Sequence, residues 1–482
     1  MLRSCWVCLV LLINWTPLAA DPQTNERQAD KTIQLGNRLE LMLDDYLIAS
    51  MKDLEFVLHS PQPAERVMTF EAPWEGPFCG YFTVFQDRDR YRMYYASFPN
   101  AVFDGRIENE YVCYAESRDG IRWTKPSLGI FSYDGSKANN IVAEGRLSSN
   151  FAPFIDTNPS AKPDERYRAV GGRRQIGGLH TFASTDGIRW RQISKEPVIT
   201  VAPPFDGKLD SQNLAFWDAE RGNYVCYYRI EVERRRHIAR ATSVDFEKWK
   251  ALGPIDLGDS PPEHLYTSAI VPYFRDPHLL LGFPMRFTTE RRAEVPVPPP
   301  GKPQSCDVIF MFSRDGQKFS RRYMRPFITP GPDLKNWAKH STMMAWGLLP
   351  TSDQEISVYY IQHSNFPTAS LRRAVLRTDG FTSLRAGYHG GEFTTHPLVF
   401  MGSKLVLNFA ASAVGNLRVE IQDRQGAPLP GYRLEDCRLL RGDYIAAEVS
   451  WAGGSDLREL AGRALRLRFA MRDCDLFSLQ FR

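Results

Sequence analysis

Apolar residues in this chain come in short strand-like runs that lead, again and again, into the same polar turn. Tyr111-Val112-Cys113-Tyr114-Ala115, Leu179-His180-Thr181-Phe182-Ala183, His237-Ile238-Ala239-Arg240-Ala241 and Val308-Ile309-Phe310-Met311-Phe312 are four such runs. Each is followed by one motif: Ser117-Arg118-Asp119-Gly120-Ile121-Arg122-Trp123, Ser184-Thr185-Asp186-Gly187-Ile188-Arg189-Trp190, Ser243-Val244-Asp245-Phe246-Glu247-Lys248-Trp249 and Ser313-Arg314-Asp315-Gly316-Gln317-Lys318-Phe319. A degenerate fifth copy is Thr378-Asp379-Gly380-Phe381, and the aspartates stand 67, 59, 70 and 64 residues apart. Two further strand-like runs precede each of the four, beginning for instance at Phe82 and Tyr91 in the first copy and at Asn213 and Tyr224 in the third. Asp-Gly supplies the positive-φ positions of a tight hairpin turn, and the Trp or Phe gives each unit a large side chain to bury against its neighbour. Three strands, a turn and a fourth strand make a blade, and five copies predict a five-bladed β-propeller whose edges are protected by radial packing.

After about residue 390 the motif stops and strands such as Lys404-Leu405-Val406-Leu407-Asn408-Phe409 and Leu465-Arg466-Leu467-Arg468-Phe469 alternate, which predicts a small antiparallel β-sandwich. At the other end, Arg3, an apolar run from Cys5 to Ile13 and the small-residue exit Leu18-Ala19-Ala20 have the layout of a secretory signal peptide. The expected organisation is therefore a signal peptide at 1–20, a propeller at 21–389 and a sandwich at 390–482. The protein is expected to be exported, periplasmic or secreted, after leader removal. Residues 290–303, with five prolines, read as a stiff surface insertion in the fourth blade.

Composition sharpens this picture in two places. Aromatic residues reach 12% of the 482, which stacked blades require. Net charge is only +4 and the basic residues are dispersed, so no nucleic-acid footprint stands out. The six cysteines beyond the leader are far apart. Cys437 and Cys474 share the C-terminal region, where either a bridge or two buried thiols fits. The nine histidines form no HxH or HExxH, so no metal or cofactor is expected.

An exported propeller followed by a sandwich resembles the bacterial glycoside hydrolases of families 32 and 43 and, in its wording, a family-32-like group. Pro73-Trp74-Glu75-Gly76, Cys113-Tyr114-Ala115-Glu116-Ser117, Phe131-Ser132-Tyr133-Asp134-Gly135-Ser136-Lys137, Asp210-Ser211-Gln212-Asn213-Leu214, Glu263-His264-Leu265-Tyr266-Thr267 and Leu434-Glu435-Asp436-Cys437 carry the resemblance. It implies carbohydrate as the substrate, carboxylate acid/base hydrolysis of O-glycosyl bonds, and a sandwich that serves as a packing partner. The chain departs from family 32 in lacking an Asn-Asp-Pro-Asn-like nucleophile motif and a Glu-Cys-Pro acid motif. Arg275-Asp276-Pro277 falls in the fourth repeat, where it reads as a hairpin turn.

Glycoside hydrolysis needs two carboxyl groups, one protonated and one ionised. Propeller ligands bind where the innermost strands begin, and the acids there are Glu75, Asp210 and Glu263, the expected catalytic set. Trp74, Tyr81, Tyr266 and Trp346 are candidates to stack on sugar faces, and Gln212, Asn213, His264 and Arg286 to bond hydroxyls. Asp44 and Asp45 form a second-tier acidic pair. Each residue also has a purely structural reading: Glu75 as a loop residue, Asp210 as a turn cap, Glu263 as a strand anchor, the aromatics as blade packing. Two other functions share the architecture, a non-catalytic carbohydrate-binding propeller and a glycoside phosphorylase with basic side chains around its phosphate.

Overall fold

The computed structural model describes residues 31–99, 110–145, 149–298 and 304–482; the expected leader lies outside them, as does part of the proline-rich insertion. The described residues are nearly all β, with no α-helix and a few short 3-10 turns. No helix among them is long and apolar enough to cross a membrane.

The repeats form antiparallel sheets. The first runs through Phe78–Asp87, Arg90–Phe98, Tyr111–Ser117 and Ile141–Glu144, the second through Ala152–Ile155, Tyr167–Arg173, Gly178–Ser184 and Arg191–Gln192. The third is Leu214–Asp218, Asn223–Val232, Arg235–Ser243 and Lys250–Pro254. The fourth is divided into two three-stranded pieces, one containing Asp276–Gly282 and Met311–Ser313, the other Met285–Thr288 and Ser305–Val308. The break falls at Phe283-Pro284, and a proline has no N–H to give to a ladder. The fifth takes Leu349–Pro350, Glu355–Gln362 and Ser370–Arg377, and its outermost strand is Gln62–Thr69 from near the start of the chain.

Inter-sheet contacts pass from each unit to the next and from the fifth back to the first. Tyr94 Oη donates to Gly187 O at 2.8 Å, Tyr224 Oη to Asp156 Oδ2 at 2.7 Å, Tyr227 Oη to Gly316 O at 2.7 Å, Tyr273 Oη to Asp379 Oδ1 at 2.5 Å and Tyr359 Oη to Gly120 O at 2.6 Å. Four of these five hydroxyls therefore end on the recurring Asp turn of the following unit. At Gly120 the left-handed backbone (φ +71°) and the nearness of Tyr359 Oη, 2.9 Å from where a Cβ would stand, both require glycine.

Within the turn the aspartate acts through its carboxylate. Asp119 Oδ1 accepts the N–H groups of Ile121 and Arg122 and the Ser117 hydroxyl, and Trp123 Nε1 returns a bond to Gly120 O. The same set recurs at Asp186 and Asp245, each with its Trp, and at Asp315 without one. The Arg122 and Lys248 N–H groups lead in holding Asp119 and Asp245 below the usual carboxylate range. In Asp186 and Asp315 burial pushes upward, and backbone N–H groups more than offset it. A carboxylate with a depressed folded pKa contributes stability above its unfolded pKa and loses it as pH falls through the folded value. Acidification below about pH 4 should therefore destabilise the repeats progressively, and the fluorescence of Trp123, Trp190 and Trp249 should report it. A flat signal down to pH 2 would contradict this account.

The remaining strands form one ten-stranded sheet drawn from both ends of the chain. Ile33–Gly36, Leu39–Leu41, Ile48–Lys52 and Leu54–Leu58 join Thr382–Ala386, Gly391–Thr395, Leu398–Phe400, Leu405–Gln422, Asp443–Glu448 and Ala464–Phe481. The strands before residue 60 thus lie with the C-terminal unit rather than with the repeats. Its core includes Trp451, fully buried, and the stacked pair Phe393 and Phe469, 4.5 Å between centroids. Cys437 and Cys474 are both free thiols.

Candidate functional site

Each repeat begins its first strand near a non-glycine residue forced into the left-handed region: Tyr81 (φ +53°), Asn150 (+54°), Leu209 (+55°), Ala269 (+42°) and Thr342 (+68°), with His340 (+69°) beside the last. Strain of this kind persists only where the surroundings over-determine it, and it concentrates at functional sites. At Tyr81 it coincides with a register shift between Gly80 and Thr83 in the first sheet. Tyr81 Oη lies 3.1 Å from Tyr266 Oη, so side chains of the first and fourth units meet, and the His340 ring of the fifth packs 5.0 Å from Tyr266.

Asp210 belongs to this cluster. Its side chain is 41% exposed, and Arg173 Nη1 lies 3.7 Å from Oδ1. The same guanidinium pairs through Nη2 with Glu110 Oε2 and donates through Nε to Ser149 Oγ. Glu110 is buried; it accepts Ser149 Oγ at 2.7 Å and Asn150 N at 3.1 Å. Burial pushes its pKa up, Arg173, Ser149 and Asn150 pull against this, and Asp210 adds to the rise. Two carboxyl groups in unlike surroundings thus share one arginine. The buried Asn150 amide has neither its oxygen nor its nitrogen bonded among the described residues. Burial also raises the Tyr81 and Tyr266 phenols, which stay protonated at neutral pH.

Support for Asp210 comes from its own segment. Asn213 Nδ2 donates to Leu209 O (2.9 Å) and Ser211 O (3.0 Å), and Asn213 Oδ1 accepts Arg229 N at 2.9 Å, which clamps the 209–211 bend to the next strand. Gln212 Nε2 contacts Tyr81 O, Phe82 O and Thr83 Oγ1 at 2.9–3.0 Å and ties the third unit to the first. His264 Nδ1 accepts Arg236 N at 3.3 Å, and burial followed by the charges of Arg236, Arg235 and Arg229 lowers its pKa.

The other expected residues are held by partners of their own. Glu75 is fully buried within the first unit, its carboxylate taking Tyr95 Oη (2.6 Å), Ala72 N (2.9 Å) and Lys125 Nζ (2.6 Å). Glu263 lies between Arg286 (2.9 Å) and Arg321 (2.5 Å), and Arg286 also pairs with Asp307. Trp74 Nε1 donates to Asn140 Oδ1 and Trp346 Nε1 to Ile270 O, so both indoles are bonded inside the fold. Asp44 caps a 3-10 turn and pairs with Arg314, and Asp45 lies 3.9 Å from Arg322. Arg275 and Asp276 occupy the hairpin between Tyr273 and the following strand. Among the described residues no group of three or more His, Cys, Asp or Glu is placed to hold a metal ion.

Removing the negative partner of a partly buried pair strands the positive one. Glu75→Gln should therefore lower unfolding free energy by about 2 kcal/mol, less than for a fully buried pair because the Lys125 side chain is 25% exposed. Denaturant midpoints of the two proteins measure the loss, and an unchanged midpoint would show that the Lys125 pair adds nothing to the fold.

No family model matches the chain. It is 31% identical over 176 residues to the uncharacterized protein Rv1502 of Mycobacterium tuberculosis, a match covering 34% of this chain, and it spans about half (49%) of that relative's length. Among solved structures, a glycoside hydrolase is similar at 12% identity and TM-score 0.42, covering 74% of this chain and 96% of the other. A family 43 arabinoxylan arabinofuranohydrolase from Bacillus subtilis, in complex with cellotetraose, is similar at 12% identity and TM-score 0.39, covering 83% and 95%. A structure from the GH130 family of mannoside phosphorylases, described as containing glycoside hydrolases that target β-1,2 mannosidic linkages in Candida mannan, is similar at 13% identity and TM-score 0.42, covering 70% and 96%.

Proposed function

We propose that this protein is an exported five-bladed β-propeller with a C-terminal β-sandwich, and that the mouth formed by the first strands of its five units hydrolyses O-glycosyl bonds. The observation that carries this reading is the pairing of Asp210 with Glu110 across Arg173. A carboxyl group whose proton affinity burial raises, beside a second, solvent-facing carboxyl group, is what acid/base glycoside cleavage uses. Solvent-facing Asp210 acts as base or nucleophile, and Glu110, whose proton affinity burial raises, is the proton-holding partner. Arg173 keeps the two in register. The Tyr81 and Tyr266 hydroxyls and the Asn150 amide supply hydrogen bonds to sugar hydroxyls, and Asn213 and Gln212 hold the bend that presents Asp210. Glu75 and Glu263 take no part in this reading because their carboxylates are held by Lys125 and by Arg286 and Arg321.

The test is release of reducing ends from a broad oligosaccharide panel by the wild-type protein and by Asp210→Asn. Turnover that disappears in the variant supports the proposal. Unchanged turnover in the variant overturns the assignment of Asp210, and wild-type binding without turnover makes the protein a carbohydrate-binding propeller.

A further inference from the structure

We propose that Arg229, Arg236 and His264 form an oxyanion subsite beside Asp210, so that this mouth takes an oxyanion together with the sugar, either a carboxylate or sulfate of the glycan itself or a free inorganic phosphate. The inference rests on the reading of the mouth as the glycan site.

Arg229 and Arg236 stand on the two strands of one hairpin in the third unit, where Arg229 faces Ile238 and Arg236 faces Glu231. That places the two arginines diagonally on one face of the sheet, within reach for long side chains. Both guanidinium groups lie over the Tyr266 ring, 4.6 and 5.6 Å from its centroid. Neither has a carboxylate within 4.0 Å among the described residues, although Arg229 is only 7% exposed. A buried cation without a counter-ion is costly, and a second cation nearby adds repulsion. Three other buried arginines do not carry this cost: Arg168 pairs with Asp156 and Glu165, Arg321 with Glu263, and Arg373 with Glu355. Arg240, unpaired as well, stands against the Gly316 turn, away from Tyr266.

The Tyr266 ring recovers part of the cost of Arg229, and Tyr266 O accepts its Nη2, which leaves most of the guanidinium N–H groups for another acceptor. His264 completes the set. Its Nδ1 accepts the Arg236 backbone N–H, so the neutral ring carries its proton on Nε2 and is a third donor. The subsite abuts the proposed chemistry, because Ser211, next to Asp210, donates at 2.5 Å to the same Tyr266 carbonyl. Planar guanidinium pairs are well matched to carboxylate, sulfate and phosphate oxygens.

Calorimetric titration of the folded Asp210→Asn protein separates this inference from the hydrolase reading, since it needs no turnover. Glucuronate, galacturonate, a sulfated monosaccharide and inorganic phosphate are compared with glucose and galactose at low salt. At least one anion should bind tenfold or more tightly than the neutral sugars, and Arg236→Gln should remove that advantage while Arg236→Lys keeps part of it. Preference for phosphate identifies the free ion, and preference for the charged sugars identifies a substituent of the glycan. Equal binding of anions and neutral sugars, or an anion preference that survives Arg236→Gln, overturns the subsite. Anion binding by a wild-type protein that cleaves no glycan would leave the subsite standing and refute the hydrolase reading alone.

Discussion

Asp210→Asn should lower turnover of a susceptible glycan by about 10²–10⁴-fold, the range that a positioned general acid or base contributes, with no loss of stability. The second half of this expectation follows from the environment. The Asp210 side chain is 41% exposed, and its ion-pair partner Arg173 is at 3.7 Å and already engaged by Glu110. Asparagine keeps the shape and removes the charge, so melting behaviour should match the wild type within error. Glu110→Gln tests the partner role differently. It should also reduce turnover, but it leaves Arg173, whose side chain is 11% exposed, partly unpaired and should cost stability as well. A rate that falls for Glu110→Gln only in proportion to the unfolded fraction would assign Glu110 to scaffolding alone.

Gly347→Ala should be the most damaging small substitution in the repeats, about 4 kcal/mol or more. At φ +127° Gly347 occupies backbone space closed to side chains, and a Cβ there would stand 2.0 Å from Val84 O. Neither partner can move away. Trp346 N donates to Phe82 O and Val84 N to Trp346 O, both at 2.8 Å, where the fifth unit meets the first. Gly129→Ala is the control: its φ is +71° but its Cβ would meet nothing within 4 Å, so only the backbone preference, about 1 kcal/mol, is at stake. Denaturant midpoints of the two variants measure the difference. Similar midpoints would show that the junction between last and first units yields easily.

The repeats were legible because their signal is local. Serine, aspartate, glycine and tryptophan close one hydrogen-bonded turn within seven residues, so the motif survives as a string. What escaped was non-local. Gln62–Thr69 carries no motif and alternates weakly, yet it completes the fifth sheet by pairing with residues more than 300 positions later in the chain. The division of the fourth sheet falls at Pro284, a single residue in an otherwise continuous apolar run. In the site, strand starts pointed to Asp210, Tyr81, Tyr266 and His264, which the structure brings near one another. The same reasoning also picked Glu75 and Glu263, whose partners Lys125 and Arg321 sit 50 or more positions away in sequence. Glu110, Arg173 and Arg229, which the proposed site adds, lie within or at the end of second strands or just before a third, away from the starts of the first strands. One signal was available: Arg229 interrupts the apolar strand Tyr224-Val225-Cys226-Tyr227-Tyr228-Arg229-Ile230, where a charge needs a reason.

The strand Gln62–Thr69 and the four short strands before it are made early but pair with segments made last. During synthesis they have no partner until residue 370 and beyond has left the ribosome, so the order of translation and the order of assembly are opposed. Long-range pairing of this kind makes folding slow and keeps the early strands exposed while they wait. Gln62–Thr69 has Pro63, Glu65 and Arg66 on what is a bare edge during that interval, and proline with charge is how natural edge strands resist pairing with the wrong chain.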